Sequence, residues 1–511
     1  MALGVSMKNT FENDPHIIVD DLNRRFRILL PEDLSEPPEN LQISRQTSPW
    51  KIYLSMLITV LPAFLLMNTI FLIVEGISQL SPNLILAGGL CSLPLIIVMF
   101  TIHRPKLIHL QIAALDENGT NIHATPGGGS LHTIQKTTFR RFIIRDDEIL
   151  LMPPSRQLWS LFILTILAAM LLTIFFAESV FLLIAAIFLW LIGFSLPVLA
   201  WWATSTNYIS LPTKRREAEA WLIAGMASAF PAVIINSLIA PEFIPSSSPQ
   251  WLQDFLLMAI AAPFGEELSK FIAVAIFLPT IKGPRKGFQI GFTVGLGFAL
   301  IENIQYIAFS FSGGIASATI TILIRGIGSI PAHAVWTAIS GTAIGWIATN
   351  QNFQTRMTRN FKPISEKARE FASNLGFDIT QGNEILRTDM GDQSSDNTWW
   401  INPKSDESVI HNNSKLNTNL QNFFFEGEKN HSKQNKPILL SPKRVLPALG
   451  ISIGGHSFWN GSLVLTESFL NSLNIDLFWI NLCSLMWLVL LISSILLIAR
   501  RLLGGIKSLN Y

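Results

Sequence analysis

Three ionisable side chains, Glu266, Glu267 and Lys270, lie within five positions of one another in an apolar stretch of the sequence. A charge at bilayer depth costs roughly 2.5–3.5 kcal/mol on insertion scales, so a segment that only spans a membrane would not carry them. A polar cavity inside a helical bundle would lower that cost. Two carboxylates in such a cavity could act as general base and general acid toward water, which is the chemistry of hydrolysis.

Further polar side chains lie in later apolar stretches, and helix geometry predicts the depth of each. At about 1.5 Å per residue from the nearest basic boundary residue, Glu266 and Glu302 lie roughly 24 Å deep. On the same scale His333 lies roughly 22 Å deep and His456 roughly 18 Å deep. Four polar residues from four helices are therefore predicted to share one layer. Arg325 is predicted to lie about 12 Å further toward the outer face than His333.

Neighbouring residues suggest supporting roles. Lys270 lies one helical turn from both glutamates and can pair with either of them. Asn460 follows His456 by four residues, so it could fix the imidazole tautomer or bind a substrate peptide. Asn303 adjoins Glu302, and Arg325 is interpreted as a structural counter-charge to the carboxylates.

Direct attack by water fits these residues best, because no serine or cysteine beside a histidine in this layer suggests a covalent nucleophile. The alternative is a divalent metal ion such as zinc that activates the water, with Glu267, His333 and His456 as its predicted ligands. A single histidine or ion pair in a helix is often structural. The whole set on neighbouring helices favours a functional site.

Composition indicates a membrane protein. The chain of 511 residues is 49% hydrophobic and only 14% charged, with a mean hydropathy of +0.40 and a net charge of +2. Two cysteines, Cys91 and Cys483, are interpreted as small core residues. The sequence contains no basic patch with interleaved aromatic residues, so nucleic-acid binding is not predicted. We predict an all-α polytopic fold of about ten transmembrane helices, at 52–75, 80–102, 157–177, 179–203, 218–240, 252–280, 288–311, 316–348, 445–466 and 477–499.

Lysine and arginine in the predicted loops set the orientation. They precede the first span and follow each even-numbered span, whereas the loops 241–250 and 312–315 contain none. Under the positive-inside rule, both termini are cytoplasmic. Alternating stretches at 107–114 and 138–144, around a Gly-rich turn at 125–129, predict a small β-rich cytoplasmic insert. The polar composition of 350–442 predicts disorder there, apart from a short helix around 364–375.

The motif residues resemble one known family. Glu266-Glu267-x-x-Lys270, Phe298-x-x-x-Glu302-Asn303, Arg325 with His333, and His456-x-x-x-Asn460 occur in the order of the PrsW intramembrane proteases, a branch of a wider group that includes CAAX prenyl endopeptidases. The resemblance implies that Glu266, Glu267, Glu302, His333 and His456 are needed for proteolysis. It also implies a membrane-anchored protein substrate, such as an anti-sigma factor, and a bacterial plasma membrane. Family members are described both as metalloproteases and as glutamate-dependent proteases.

The resemblance also suggests a division of the chain into segments. Residues 218–349 and 443–511 form the two parts of a PrsW-like membrane core, separated by the polar insertion 350–442. Residues 1–51 are a cytoplasmic tail, and 52–217 contain four helices with an insert at 103–156. The rival interpretations are a proton-coupled transporter, disfavoured by the lack of an internal repeat, and an inactive scaffold of the same superfamily. A prenyl-protein endopeptidase is less consistent with Lys270 at this spacing.

Overall fold

The computed structural model describes residues 16–19, 25–28, 45–46, 48–102, 107–124, 130–145, 148–175, 181–211, 213–349, 399–401, 441–473 and 475–509. Two compact units divide the chain. The strand unit comprises Met1–Gln42, Lys106–Asp146 and Glu384–Gln434. The helical unit comprises Ile43–Pro105, Asp147–Asn383 and Asn435–Tyr511, and it contains every candidate site residue.

The strands are short except for one long hairpin. They are β1 (His16–Val19), β2 (Arg25–Ile28), β3 (Arg45–Gln46), β4 (Leu107–Ala124), β5 (Ser130–Arg145), β6 (Glu148–Ile149) and β7 (Trp399–Ile401). In the strand unit β1 pairs antiparallel with β2, and β4 lies between β5 and β7, antiparallel to both. In the helical unit β3 pairs parallel with β6.

The alternating stretches at 107–114 and 138–144 lie within β4 and β5, where the sequence pattern placed strands. The prediction of disorder was wrong for Trp399–Ile401, because Trp400 pairs with Ile112 of β4. Aromatic and β-branched residues favour strands, and this local preference was masked by the polar average of the insertion. The other residues of 350–440, with the predicted helix at 364–375, lie outside the described residues, as does the turn at 125–129.

Helices make up most of the described chain. They are α1 (Pro49–Ser78), α2 (Pro82–Ile102), α3 (Ser155–Phe175), α4 (Phe181–Ile209), α5 (Arg215–Ile234), α6 (Gln250–Phe255), α7 (Ala262–Ala275), α8 (Pro284–Ser310), α9 (Gly314–Ile324), α10 (Ile330–Ala348), α11 (Val445–Ser472) and α12 (Leu477–Lys507). A π-helical segment, Leu256–Ala261, joins α6 to α7, and another, Arg325–Ser329, joins α9 to α10. The span predicted at 316–348 is therefore interrupted just before α10.

Within the described residues, seven stretches are long and apolar enough to cross a membrane. They are Pro49–Ile77, Pro82–Met99, Ser155–Phe175, Ile184–Ile209, Arg215–Phe243, Pro284–Ala348 and Leu477–Lys507. The stretch Pro284–Ala348 contains three helices, α8 to α10. Helices also occupy the other predicted spans, in α6–α7 and α11, although these two are not among the seven. The ten crossings and the cytoplasmic termini remain predictions.

Helix α8 packs closely against α5 and α10 because glycines line both of its sides. A Cβ atom on Gly295 would lie 2.5 Å from the carbonyl oxygen of His333 in α10. On the other side, a Cβ atom on Gly297 would overlap the carbonyl oxygen of Leu222 in α5. Small residues let helix backbones approach this closely in membranes. The contact brings His333 toward the helix that carries Glu302.

The interpretation of Cys91 and Cys483 as core residues was wrong. Both cysteines are free and exposed on the outward faces of α2 and α12. An apolar side chain on a membrane helix can face lipid as readily as a protein core, so hydropathy alone does not distinguish the two positions.

Candidate active site

The candidate site lies where four helices meet. Helix α7 contributes Glu266, Glu267 and Lys270, and α8 contributes Glu302. Helix α10 contributes His333, and α11 contributes His456. The imidazole rings of His333 and His456 lie 5.0 Å apart and perpendicular to each other. The shared layer that helix rise predicted for these residues is confirmed, although about 120 residues of sequence separate the two histidines.

A buried ion pair anchors the site. The ammonium of Lys270 donates to Glu267 Oε1 at 2.7 Å and lies 3.6 Å from Glu266 Oε2. Lys270 is fully buried, and its Nζ lies 4.0 Å from the centre of the Phe298 ring. The sequence placed Lys270 within reach of both carboxylates, and the structure confirms this, with the shorter contact at Glu267. Buried charges are normally paired in this way, since an isolated one is costly.

Carboxylates hold both histidines in defined orientations. His333 Nε2 lies 2.6 Å from Glu302 Oε2, and its Nδ1 lies 2.9 Å from Lys270 Nζ. Because an ammonium can only donate, His333 Nδ1 is the acceptor, and the ring hydrogen lies on Nε2, the nitrogen in close contact with Glu302. His456 Nδ1 lies 3.0 Å from Glu267 Oε1, so Nδ1–H donates and Nε2 of the neutral ring is an acceptor.

Arg325 completes the outer side of the site. Its Nη2 lies 2.9 Å from Glu302 Oε2, and its Nε donates to Asn303 Oδ1. The guanidinium also stacks 4.0 Å above the Tyr306 ring. The predicted separation of about 12 Å from His333 describes backbone rise only. The guanidinium reaches Glu302 of the neighbouring helix, so Arg325 is a direct counter-charge to that carboxylate.

Oε2 of Glu266 and Oε2 of Glu302 both lack a hydrogen-bond partner, but Glu302 Oε2 lies 2.6 Å from His333 Nε2 and 2.9 Å from Arg325 Nη2, which leaves Glu266 as the more open carboxylate. Its Oε2 is buried and has no hydrogen-bond partner in the structure. This atom lies 3.9 Å from His456 Nε2 and 4.0 Å from His333 Nδ1. Its other oxygen, Oε1, accepts a long hydrogen bond of 3.4 Å from Asn236. A buried acceptor without a partner marks a position where a ligand or water would be stabilised.

Sequence reasoning missed Asn236 and misassigned Asn460. Asn236 lies in a third π-helical segment, Ile235–Ile239, and an amide inside an apolar span was the available signal. The amide nitrogen of Asn460 donates to the carbonyl of Met258 at 2.9 Å, so Asn460 does not fix the His456 tautomer. Glu267 does so instead. Such π-helical segments often occur at functional sites, and Met258 lies in one as well.

A metal ion would have a different ligand set from the predicted one. Glu266, His333 and His456 each offer a ligand atom, and these atoms lie within 4.8 Å of one another. Glu267 is not in this group, because its Oε1 already accepts from Lys270 and His456. One carboxylate and two imidazoles are a donor set that zinc accepts, and the unpartnered Oε2 of Glu266 faces the two rings. The residues therefore fit a divalent ion in type and spacing.

Fold and site together define an integral membrane protein with a buried carboxylate–histidine centre suited to hydrolysis. Residues 215–362 match the model of the PrsW family of intramembrane metalloproteases. The resemblance drawn from the motif residues is thus confirmed for this segment, and it supports an intramembrane protease. No curated protein and no solved structure matches the chain.

His456 lies outside the matched segment, beyond the long insertion. The structure nevertheless brings its imidazole to 3.0 Å from Glu267, which lies inside the segment. Helix α11 is therefore part of the same site. This contact agrees with the assignment of His456-x-x-x-Asn460 to the motif set.

Proposed function

We propose that this protein hydrolyses peptide bonds of membrane-anchored proteins, with Glu266 as the general base. One observation supports this assignment above the others. Glu266 Oε2 and His456 Nε2 are both acceptors and lie 3.9 Å apart. Two acceptors cannot hydrogen-bond to each other directly, but one water molecule between them can donate a hydrogen to each.

A water molecule held in this way is oriented for attack. Its two hydrogens point to Glu266 and His456, so its lone pairs face away from both, toward a substrate carbonyl. As the oxygen attacks the carbonyl carbon, Glu266 takes one proton. When the C–N bond breaks, the protonated Glu266 delivers that proton to the leaving amine nitrogen, as a general base acting afterwards as general acid.

The surrounding residues hold these two groups in place. Glu267 fixes the His456 tautomer that leaves Nε2 free to accept. Lys270 neutralises part of the paired glutamate charge. Glu302 is committed to His333 and Arg325, so its role is to orient His333 rather than to deliver protons. Asn460 has a second amide hydrogen, which can donate to a substrate carbonyl.

A divalent ion such as zinc would be held by Glu266, His333 and His456 and would supply Lewis-acid polarisation of the carbonyl or water. With an ion bound, Glu266 and His456 would be its ligands, whereas without it they would hold the attacking water directly. The same two side chains would therefore take part in either mechanism. They would be metal ligands in a metalloprotease, and they would hold the water in a glutamate-based protease.

The substrate and the setting follow from the placement of the site among apolar helices. We propose ten membrane crossings, cytoplasmic termini and a bacterial plasma membrane, as the distribution of lysine and arginine and the motif set predict. The substrate would be a single-span protein, such as an anti-sigma factor, cut within or beside its membrane segment. No nucleic-acid partner is proposed.

Cleavage in co-expressing membranes tests this function. Single-span candidate substrates are expressed with the native chain, with Glu266→Gln or with His456→Ala, and membrane levels of each variant are measured. The matched control is Glu467→Gln, an exposed position on the helix that carries His456. We expect product from the native chain and the control only. Product from all four would exclude this site; proton-coupled flux without cleavage in proteoliposomes would support a transporter instead.

A further inference from the structure

The ammonium of Lys270 lies where a divalent ion would need its third ligand. Both ring nitrogens of His333 are engaged, Nε2 by Glu302 at 2.6 Å and Nδ1 by Lys270 at 2.9 Å. The single lone pair on Nδ1 can accept from the ammonium or bind a metal ion, but it cannot do both. We propose that Lys270 is an internal cation that competes with a divalent metal ion for His333.

The surroundings of Lys270 show that its ammonium is held firmly. It has three N–H donors, of which one contacts Glu267 at 2.7 Å and one contacts His333. The third faces Glu266 Oε2 at 3.6 Å, and the Phe298 ring covers Nζ at 4.0 Å. The residue is fully buried. The ammonium therefore contacts two of the three groups that a metal ion would use.

Distances make the competition direct. Zinc binds imidazole nitrogen at about 2.0–2.1 Å and carboxylate oxygen at about 2.0–2.2 Å. An ion bound to Glu266 and His333 would thus occupy the space between Lys270 Nζ and both of these atoms. Two cations this close repel each other strongly in a buried site. Metal binding at all three ligands requires the contact between Lys270 and His333 to open.

The other two ligand atoms meet this competition less directly than His333, because Lys270 Nζ lies 3.6 Å from Glu266 Oε2 without a hydrogen bond to it. Glu266 Oε2 has no hydrogen-bond partner, and His456 Nε2 is a free acceptor. The arrangement therefore favours water between Glu266 and His456, with Lys270 as the resident cation. The consequence of this competition for hydrolysis rests on the proposed function. Metal binding itself can be measured without any cleavage.

The test measures metal binding by purified, metal-stripped protein in detergent. Cobalt(II) is titrated into the native chain and Lys270→Met, followed by visible absorption and by metal content per chain. Because Lys270→Met leaves Glu267 buried without its cation, the double variant Glu267→Gln, Lys270→Met is included. Adding His456→Ala to the double variant removes a ligand, and Glu467→Gln is the matched surface control.

We expect the double variant to bind one cobalt ion per chain more tightly than the native chain because the competing cation is gone, by about 10- to 100-fold, the size of effect that groups around metal ligands have on affinity. The added His456→Ala should abolish this binding. Equal affinity of the native chain and both lysine variants would overturn the proposal. Absence of His456-dependent binding in every variant would also overturn it, and neither result would depend on whether the protein cleaves peptides.

Discussion

Substitution of the two adjacent glutamates should change the stability of the protein by very different amounts. Glu267 is 1% exposed and contacts both Lys270 and His456, so Glu267→Gln leaves a buried ammonium without its closest anion. Breaking a buried ion pair by removing one partner costs about 3–5 kcal/mol. The glutamine oxygen can still accept from Lys270, which places the expected loss near the lower end, at about 3 kcal/mol.

Glu266→Gln should cost much less. The open oxygen of Glu266 has no hydrogen-bond partner, its nearest cation lies 3.6 Å away, and the bond from Asn236 is long. A typical hydrogen bond contributes only about 0.5–1.5 kcal/mol net, so we expect a loss of about 1 kcal/mol or less. The two substitutions are chemically identical and adjacent in sequence, which makes each the control for the other.

Thermal unfolding of purified protein in detergent measures this difference. At roughly 2–4 °C per kcal/mol for a cooperative unit of 150–250 residues, Glu267→Gln should lower Tm by about 6–12 °C. Glu266→Gln should lower Tm by about 4 °C or less on the same scale, and Glu467→Gln should leave it unchanged. Equal Tm values for the two site variants, or a larger loss for Glu266→Gln, would refute the assignment of Glu267 to support and Glu266 to chemistry.

Three further outcomes are expected. Gly295→Ala should lower Tm by several degrees, because its Cβ would lie 2.5 Å from the His333 carbonyl oxygen. Overpacking of this kind costs about 1–3 kcal/mol. The control is Gly89→Ala, which should leave Tm unchanged because its Cβ would meet nothing within 4 Å. Asn236→Ala should reduce cleavage while membrane levels stay normal, as immunoblotting would show, since the Asn236 amide donates to Glu266 Oε1. Arg325→Met should reduce both levels and cleavage, because Glu302 loses its cation; normal levels would contradict this.

Periodicity and motif spacing predicted most of the helical framework. Apolar runs of membrane length located the helices, and the glycines at Gly295 and Gly297 indicated the close packing of α8. The common layer of Glu266, Glu302, His333 and His456 followed from helix rise, because rise along a membrane helix is nearly constant. The features of the fold that depend only on depth in the membrane could therefore be predicted from the sequence.

Contacts across helices were not predictable in the same way. Depth does not reveal which carboxylate points at which ring, so Glu267 was predicted as a metal ligand in place of Glu266. Arg325 was predicted as a counter-charge to the carboxylates, but depth did not show that Glu302 would be its partner. Asn236 was missed because its helix contributes a single amide, and β7 was missed because strand pairing depends on a partner far away in the sequence.

The central claim is that Glu266 activates water for peptide-bond cleavage in the membrane. The most direct measurement is mass spectrometry of new termini after purified protein is reconstituted in liposomes with single-span candidate substrates. We predict a new terminus within or beside the membrane segment with the native chain, none with Glu266→Gln, and normal reconstitution of both. The same new terminus formed equally by Glu266→Gln would contradict the account.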